Sequence, residues 1–252
     1  MLFRSCFVRG KRIRQAFLPQ EGWTLISADW SQIELRMLAH VCGEPQLIEA
    51  FANDVDVHRQ TAAALFDCAP EAVTTEQRNV GKTVNFATIY GQGATALGQS
   101  LGIPRRQAKA YIERYFEKYS EVKAWVERTV AEAYEAGYVS TLLGRRRYIP
   151  EMTTSNYQTR AYGERIAANT PIQGSAADLC KIAMLQIDAE LRARGMKTRM
   201  LLQIHDELIF EAPPEELDAA CALVRDRMEN CHPLSVPLKV DLGTGQSWAE
   251  AH

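Results

Sequence analysis

The chain lacks the features that mark membrane and secreted proteins. No apolar run reaches the roughly 18 residues that a membrane-spanning helix needs. The first residues contain no apolar core long enough for a secretion signal or transit peptide. The six cysteines form no CxxC pair and no zinc spacing. We therefore expect reduced core thiols in a cytoplasmic protein with no membrane association.

The sequence also lacks repeats, low-complexity linkers and a strong net charge. The formal net charge is −2, which is not typical of a dedicated DNA-binding domain. The positive charge is uneven, however, because five cations precede the first acidic residue and three arginines follow one another later. These cations are Arg4, Arg9, Lys11, Arg12 and Arg14, then Arg145, Arg146 and Arg147. Such runs fit a solvated turn as well as they fit a phosphate-binding surface.

The segment RNVGKTVNFATIYG carries the strongest local pattern. Four residues at strict i+4 spacing place two cations and two aromatic rings along one flank of a predicted helix: Arg78, Lys82, Phe86 and Tyr90. Thr74 and Gln77 predict a capping box at the start, and Gly91 predicts the end. Two cations suit a polyphosphate, and a ring can support a base or a sugar. The cations alone also fit an amphipathic surface helix.

Two aspartates complete this pattern. Asp29 ends an apolar run, Leu25 to Ala28, that predicts a strand followed by a helix. Asp206 lies between two apolar runs in MLLQIHDELIFE, which predict a tight hairpin with the acid at its tip. If the fold brings the two carboxylates together, they suit Mg²⁺, which binds one or two carboxylates with substrate phosphates and water. Each aspartate alone is more often a turn former.

With these motifs in order, the chain resembles the polymerase domain of family A DNA polymerases, the bacterial DNA polymerase I type. DWSQIELR is similar to the first catalytic motif of that family, RNVGKTVNFATIYG to the nucleotide-binding helix, and IHDE to the last motif. GKRIRQAF, DVHRQTAAALF, ERIAANTPIQGSAAD and LGTGQSWAEAH extend the resemblance from about Gly10 to His252. Three ordered motifs at family spacing are a specific signal.

The resemblance implies an α+β fold in which an antiparallel palm sheet carries an inserted helical fingers subdomain, the right-hand polymerase fold. We assign residues 10–42 to the first part of the palm, 43–152 to the fingers and 153–252 to the second part of the palm. The last strand of the palm is expected over 236–241. The thumb and the upstream palm of the family are expected before Gly10 and are missing here. We therefore expect residues 1–9 to be a non-native or truncated start.

The resemblance also assigns the chemistry. It implies two Mg²⁺ ions held by Asp29, Asp206 and the Trp30 carbonyl, where Trp30 replaces the usual Tyr. Glu207 is expected to support this catalytic metal site without being an obligatory ligand. Arg78 and Lys82 are expected to bind the incoming triphosphate, and Lys82 to protonate the leaving group.

Further residues are assigned to the nucleotide and to the DNA. Phe86 and Tyr90 are expected to place the sugar and the templating position, although Ala87 beside them replaces a usual Gly. The remaining implied contacts are His58, Gln32 and Glu34 to the nucleotide, and Arg165, Asn169, Gln173 and His205 to the DNA. As bare patterns, a lone His is more often structural, and the i+4 set on the second helix fits a polar face.

Glu34 has two interpretations. Ser31 and Glu34 form a capping-box sequence, so the carboxylate can simply satisfy the start of its helix. The resemblance implies a steric role instead, in which Glu34 and Tyr90 fill the space that a ribose 2′-hydroxyl needs. Both roles can hold together.

Three functional classes remain open. The favoured one is a DNA polymerase core, a nucleotidyltransferase of replication and repair that acts as a monomer on primer-template DNA and dNTPs. A single-subunit RNA polymerase relative shares part of the pattern, but Glu34 and Phe86 argue against it. The third is a non-catalytic fragment that binds DNA or nucleotide, because without a thumb we expect little activity from this chain alone.

Overall fold

A computed structural model describes residues 12–252. The segment 1–9 that was predicted to be a non-native start lies outside the described residues, as do Arg4, Arg9 and Lys11. Within residues 12–252, no helix is long and apolar enough to cross a membrane.

Six strands form two antiparallel sheets in the described part of the chain. The strands are β1 Thr24–Trp30, β2 Tyr138–Ser140, β3 Arg146–Tyr148, β4 Arg199–Ile204, β5 Glu207–Ala212 and β6 Val240–Gly245. The larger sheet has the order β4-β5-β1-β6, and β2 pairs with β3 in a separate hairpin. The central strand β1 is therefore the first strand of the described residues, and it is paired on both sides by strands from the carboxyl-terminal part of the chain. Its apolar residues Leu25 and Ile26 are buried, as expected for an interior strand.

The helices supply most of the remaining structure. They are α1 Ile33–Cys42, α2 Pro45–Ala52, α3 Val57–Phe66, α4 Thr75–Ile89, α5 Ala94–Leu101, α6 Arg105–Lys118, α7 Ser120–Ala136, α8 Tyr157–Ala193, α9 Leu217–Glu229 and α10 Trp248–Ala251. Short 3₁₀ turns occur at Pro70–Ala72, Pro150–Thr153 and Pro214–Glu216. This mixture of an antiparallel sheet and helices confirms the α+β prediction.

The start and the end of α4 follow the predicted signals. The Thr74 side chain accepts from the Gln77 N–H, and the Gln77 side chain accepts from the Thr74 N–H, which completes the capping box. After Tyr90 the chain leaves the helix through Gly91, whose φ of +61° lies in the left-handed region that glycine adopts without strain. The i+4 stripe is therefore on one continuous helix.

One strand was predicted in the wrong place. The sequence favoured a final strand over 236–241, whereas β6 covers Val240–Gly245. Pro237 has no N–H to donate to a sheet ladder, which explains the late start. The strand then continues through two glycines because α10 lies against it: a Cβ on Gly243 would stand 2.0 Å from the Ala251 carbonyl oxygen.

The chain divides into two compact units. The sheet unit comprises the described residues up to Ile33 together with Ala176–Leu234 and Leu238–His252, and the helical unit comprises Glu34–Ser175 and Ser235–Pro237. In the sheet unit, Leu25, Ile209, Trp248 and Ala251 form one apolar cluster. In the helical unit, the cluster beneath the β2–β3 hairpin consists of Ala133, Val139, Ile149, Met152, Ile166 and Ala167.

The boundaries of these two units fall at other residues than the boundaries of the predicted subdomains. The predicted divisions fall at 42/43 and 152/153, whereas the units divide at 33/34 and 175/176. The helix α1 belongs with the helical unit because its Arg36 guanidinium stacks 4.5 Å from the centre of the Phe51 ring. The first part of α8 belongs there because Ile166 and Ala167 join the cluster under the hairpin. The names palm and fingers for the two units stay a prediction.

A buried carboxylate joins two helices of the helical unit. Glu44 caps α2 by accepting from the Gln46 N–H at 3.3 Å, and its other oxygen accepts from the Glu121 N–H in the first turn of α7 at 3.1 Å. Both N–H groups belong to first turns, where no intrahelical acceptor is available. One side chain therefore satisfies donors of two helices.

We expect Glu44→Ala to lower the free energy of unfolding by about 1–3 kcal/mol, because it leaves two donors without their acceptor. Urea unfolding followed by circular dichroism measures this loss. Glu49→Ala on the exposed side of α2 is the matched control and should change stability by less than about 0.5 kcal/mol. Equal losses in the two variants would contradict the bridging role.

Candidate functional site

The first predicted catalytic residue lies in the centre of the large sheet. Asp29 on β1 is paired with Glu207 on β5 and with Asp241 on β6. Directly paired residues of antiparallel strands point to the same face, so the pairing places three carboxyl side chains side by side. Asp206 immediately precedes Glu207, and its carbonyl accepts from the Trp30 N–H at 3.3 Å. Both predicted metal-binding aspartates thus lie within the sheet unit.

The surroundings of Asp29 disfavour its negative charge. Burial is the largest cause, followed by the charges of Asp206, Glu207 and Asp241, and together they raise the pKa of Asp29 to about 7. Arg14 acts in the opposite direction and is outweighed. One carboxyl oxygen, Oδ1, is buried and finds no hydrogen-bond partner among the described residues. Such an atom in a cluster of acids is open to a cation.

Glu207 differs from Asp29 in having its oxygens occupied. Its Oε1 accepts from the Ser27 hydroxyl at 2.6 Å and from the Trp248 indole N–H at 2.7 Å, and lies 3.2 Å from Nδ1 of His252. Arg14 lies 3.7 Å from Oε2 and 4.6 Å above the Trp248 ring. Glu207 is therefore a buried carboxylate that stabilises the sheet unit, which agrees with a supporting role rather than direct coordination of a metal ion.

Two turns beside these acids have unusual backbone geometry. Gln32 and His205 have φ values of +56° and +58°, which few non-glycine residues adopt. His205 occupies the tight turn of the β4–β5 hairpin and is exposed, and its carbonyl accepts from the Gln203 amide at 3.1 Å. The Gln32 Oε1 atom is buried without a partner among the described residues. Strain and an unused acceptor are typical of functional turns.

The i+4 stripe of α4 lies in the helical unit, and its two cations have different surroundings. Arg78 donates through Nε to Asp56 Oδ2 at 2.5 Å, whereas the Lys82 side chain is exposed. Burial would raise the pKa of Asp56, but the hydrogen bond from Arg78 and the Arg59 N–H outweigh it and hold that pKa below its usual value. Arg78 is thus held in place by a carboxylate.

The aromatic part of the stripe forms a stack. The Phe86 and Tyr90 rings lie 6.2 Å apart at an interplanar angle of 19°. The Tyr90 hydroxyl donates to Glu34 Oε2 at 2.8 Å, which is the contact that the steric interpretation of Glu34 requires. Whether Ser31 and Glu34 also form a capping box stays a prediction.

His58 lies behind this stripe on α3. It is buried, its ring centre lies 5.9 Å from that of Phe86, and its Nδ1 lies 3.0 Å from the Asn85 amide nitrogen. Burial is the main cause that lowers the pKa of His58 to about 4, with smaller effects of Arg78 and Lys82 and an opposing effect of Asp56. The imidazole is therefore neutral at neutral pH.

The predicted DNA contacts on α8 also lie in the helical unit. Arg165 is exposed, with its guanidinium 5.6 Å from the Tyr162 ring centre, and Gln173 is exposed two turns further on. Asn169 between them leaves a buried Oδ1 without a partner among the described residues. Asp29, Gln32 and Asn169, three of the residues assigned a function, thus each present an unused buried oxygen.

The structure adds neighbours that the sequence patterns did not identify. Asp241 joins the carboxylates, Asp56 holds Arg78, and Asn85 contacts His58. Only Asp241 had a usable signal, because it ends the predicted strand 236–241 just as Asp29 ends its own predicted strand. Among residues 12–252, no group of three or more His, Cys, Asp or Glu side chains is arranged to hold a metal ion. Any ion at Asp29 and Asp206 therefore needs further ligands from substrate or water.

Comparison with solved structures supports this fold over nearly the whole chain. The chain is similar to the structure described as "POL domain of Pol1 from M. smegmatis complex with DNA primer-template and dNTP", with a TM-score of 0.94 and 43% sequence identity. The alignment covers 99% of this chain and 44% of that chain.

Relatives of known name are identical to this chain at about half of the aligned positions. DNA polymerase I of Bacillus subtilis is 51% identical over 243 residues, and the thermostable DNA polymerase I of Thermus aquaticus is 47% identical over 242 residues. Each alignment covers 96% of this chain, which spans only 28% and 29% of the two relatives. Residues 7–250 match the family described as DNA polymerase family A. By this match and by these identities, the chain belongs to DNA polymerase family A.

Proposed function

We propose that this chain supplies the catalytic groups for template-directed DNA synthesis, in which deoxynucleotides are transferred from dNTPs to a primer 3′-hydroxyl with release of pyrophosphate. The observation that carries the proposal is the buried, unpartnered oxygen of Asp29 beside three further carboxylates. The relatives named DNA polymerase I, and the similar structure described with primer-template and dNTP, support the same activity.

The donor set of the sheet unit fits a divalent cation. Burial, followed by the charges of the neighbouring acids, raises the pKa of Asp29 to about 7, and a cation would offset both effects. Asp29, Asp206 and the Trp30 carbonyl are the hard oxygen ligands that would hold Mg²⁺, two ions in the proposed mechanism. When bound, such ions activate the primer hydroxyl and stabilise charge on the leaving pyrophosphate. Glu207 keeps the strands that carry these ligands in place.

The helical unit supplies the groups for the nucleotide. The exposed Lys82 ammonium and the Arg78 guanidinium, held by Asp56, would bind phosphate oxygens, and Lys82 would donate a proton to the leaving pyrophosphate. The stacked pair Phe86 and Tyr90 would support the sugar and the templating position. His58 would add a phosphate contact. These roles need two cations and a flat apolar surface on one helix, which α4 provides.

The DNA would be held by the polar residues of α8 and of the hairpin. Arg165, Asn169 and Gln173 present one cation and two amides along α8, and His205 is exposed at the turn next to Asp206. Contacts of this kind position a duplex without reading its sequence.

We further propose that the chain acts as a monomer in the cytoplasm.

Deoxynucleotides are favoured over ribonucleotides by one contact. The Tyr90 hydroxyl donates to Glu34 at 2.8 Å, and the paired side chains occupy space beside the stacked ring. A polymerase that uses NTPs must leave space for the ribose 2′-hydroxyl, so its side chains would not fill this volume. The single-subunit RNA polymerase alternative is therefore the weaker candidate.

Loss of either aspartate tests the catalytic assignment. This chain would replace the matching segment of the Bacillus subtilis relative, and primer extension by the chimera would be measured with Asp29→Ala and with Asp206→Ala. We expect extension to fall by about a thousandfold or more, since metal-bound charge stabilisation contributes several kcal/mol to the transition state. Primer-template affinity should change little, because the grip on DNA is spread over many contacts.

The exposed carboxylate Asp188 in the same unit provides the matched control, Asp188→Ala, which should extend primers at the parental rate. Extension within about tenfold of the parent by both active-site variants would rule out the metal assignment. A chimera that binds DNA tightly but never extends, even with parental aspartates, would favour the non-catalytic class.

The metal-free chain should be stabilised by Asp29→Asn. The raised pKa of Asp29 means that its ionisation opposes folding, so the cost grows from about pH 4 to about pH 7 and is constant above. We expect the variant to melt about 2 °C or more above the parent near pH 8, and the gain to shrink as the pH falls. Added Mg²⁺ should stabilise the parent more than the variant, because the variant has lost a ligand.

Thermal melts with EDTA or with Mg²⁺ provide this measurement, with Asp188→Asn as the surface control. An Asp29→Asn variant that melts below the parent near pH 8 without metal would show that the carboxylates do not repel one another as inferred.

Glu34→Ala should admit ribonucleotides. Removing the carboxylate opens space at the sugar 2′ position, so rNTP incorporation by the chimera should rise relative to dNTP incorporation. Tyr90→Phe is the matched variant, because it removes only the hydroxyl that donates to Glu34 and retains the ring. If Glu34 is only a cap, its loss should cost about 0.5–2 kcal/mol of stability and leave sugar selectivity unchanged. Incorporation ratios measured together with melting curves separate the two roles.

A further inference from the structure

A buried chain of polar side chains connects α6, α3 and α4 inside the helical unit. The Tyr119 hydroxyl, which follows α6, lies 3.2 Å from the Thr61 hydroxyl, and the Thr61 oxygen lies 3.0 Å from Asn85 Oδ1. Asn85 Nδ2 in turn lies 3.0 Å from His58 Nδ1. All four side chains are buried, so each depends on the others for its hydrogen bonds.

Two arrangements of protons satisfy this chain. In the first, the Thr61 hydroxyl donates to Asn85 Oδ1 and the Asn85 amide donates to His58 Nδ1. In the second, the amide is turned over, His58 Nδ1–H donates to the Asn85 oxygen, and Thr61 donates to the Val57 carbonyl 2.9 Å away. The orientation of one amide therefore decides which ring nitrogen of His58 carries the proton.

The choice matters because the imidazole is neutral. Burial, the main cause, lowers the pKa of His58 to about 4, so the ring has a single N–H at neutral pH. Its Nδ1 contacts Asn85, while Nε2 has no partner among the described residues and is the nitrogen left for a ligand. Phosphate oxygens only accept hydrogen bonds. The second arrangement would turn a lone pair toward them, and only the first offers them a donor.

The position of His58 is also fixed through the backbone. The helices α3 and α4 touch at Gly81, where a Cβ would stand 2.3 Å from the His58 carbonyl oxygen. Asn85 is one turn beyond Gly81 on α4, on the buried side of the helix and outside the stripe of Arg78 and Lys82. The amide therefore reaches the ring from the same helix that carries the two cations.

We propose that Asn85 is a positioning residue that holds His58 as the Nε2–H tautomer, which gives the triphosphate a neutral hydrogen-bond donor beside Arg78 and Lys82. The proposal rests on the proposed function, because it takes the triphosphate as the ligand. A neutral donor adds a directed contact to the phosphate without a third positive charge beside Arg78 and Lys82. Thr61 and Tyr119 support the amide and do not touch the nucleotide.

The tautomer can be measured in the parent chain without any variant or ligand. Long-range ¹H–¹⁵N correlation spectra of the ¹⁵N-labelled chain distinguish protonated from unprotonated ring nitrogens, and the His58 signals are those lost in His58→Gln. We expect Nε2 to be protonated and Nδ1 unprotonated near neutral pH. A protonated Nδ1 with an unprotonated Nε2 would overturn the proposal.

The role of Asn85 is tested by Asn85→Leu, which has similar volume and no polar group. We expect His58 to show a mixture of tautomers, and the Kd for dATP in the presence of Ca²⁺ to rise about three- to tenfold, the effect of one neutral hydrogen bond. Asn79→Leu on the exposed side of α4 is the matched control and should change neither. Asn85→Leu that keeps the parental tautomer and Kd would overturn the proposal.

The two proposals fail in different ways. A parent chain with the Nε2–H tautomer that binds no dATP would contradict the proposed function, and with it the phosphate role of His58. A parent chain that binds dATP with the Nδ1–H tautomer would overturn the role of Asn85 alone and leave the proposed function in place.

Discussion

The crowding of Asp29, which is partly buried on the central strand, by acids of the neighbouring strands is the constraint on which the rest of the sheet unit depends. The pairing of β1 with β5 and β6 sets Glu207, Asp29 and Asp241 side by side, and the hairpin turn adds Asp206. A one-residue slip of any strand would turn its acid to the other face. The register is held by buried residues such as Ile26 and by the close contact of α10 with the β6 glycines. Holding these acids together therefore lowers the stability of the folded sheet unit.

Two acids at the same level of the sheet have opposite surroundings, and this difference separates their roles. Glu207 is met by the Ser27 hydroxyl and the Trp248 indole, with His252 and Arg14 close by. Asp29 keeps one oxygen without any partner in the described chain, and its pKa is raised. A satisfied carboxylate stabilises the fold, whereas an unsatisfied one remains available to a ligand. The same sheet therefore contains both a carboxylate that stabilises the fold and a candidate ligand site.

Features set by local spacing could be predicted from the sequence, and features set by distant pairing could not. The capping box of α4, the β4–β5 hairpin and the i+4 stripe depend on residues within a few positions of one another. The Arg78 bond to Asp56 joins residues 22 apart in the chain, and the contact of Asn85 with His58 joins residues 27 apart. No pattern within one segment contains such information.

In the helical unit the corresponding constraint concerns positive charge. Cationic side chains must remain available to a ligand without an excess of positive charge. Arg78 is balanced by Asp56, Lys82 is left to solvent, and His58 is kept neutral by burial. A polyphosphate that binds here would meet one cation already oriented, one cation free to move, and one uncharged donor. Three strongly exposed cations would bind any anion, whereas graded donors in fixed positions favour a ligand with several phosphate oxygens at matching distances. Under the proposed function, selectivity for a triphosphate would follow from which donors are held, and not from the total charge.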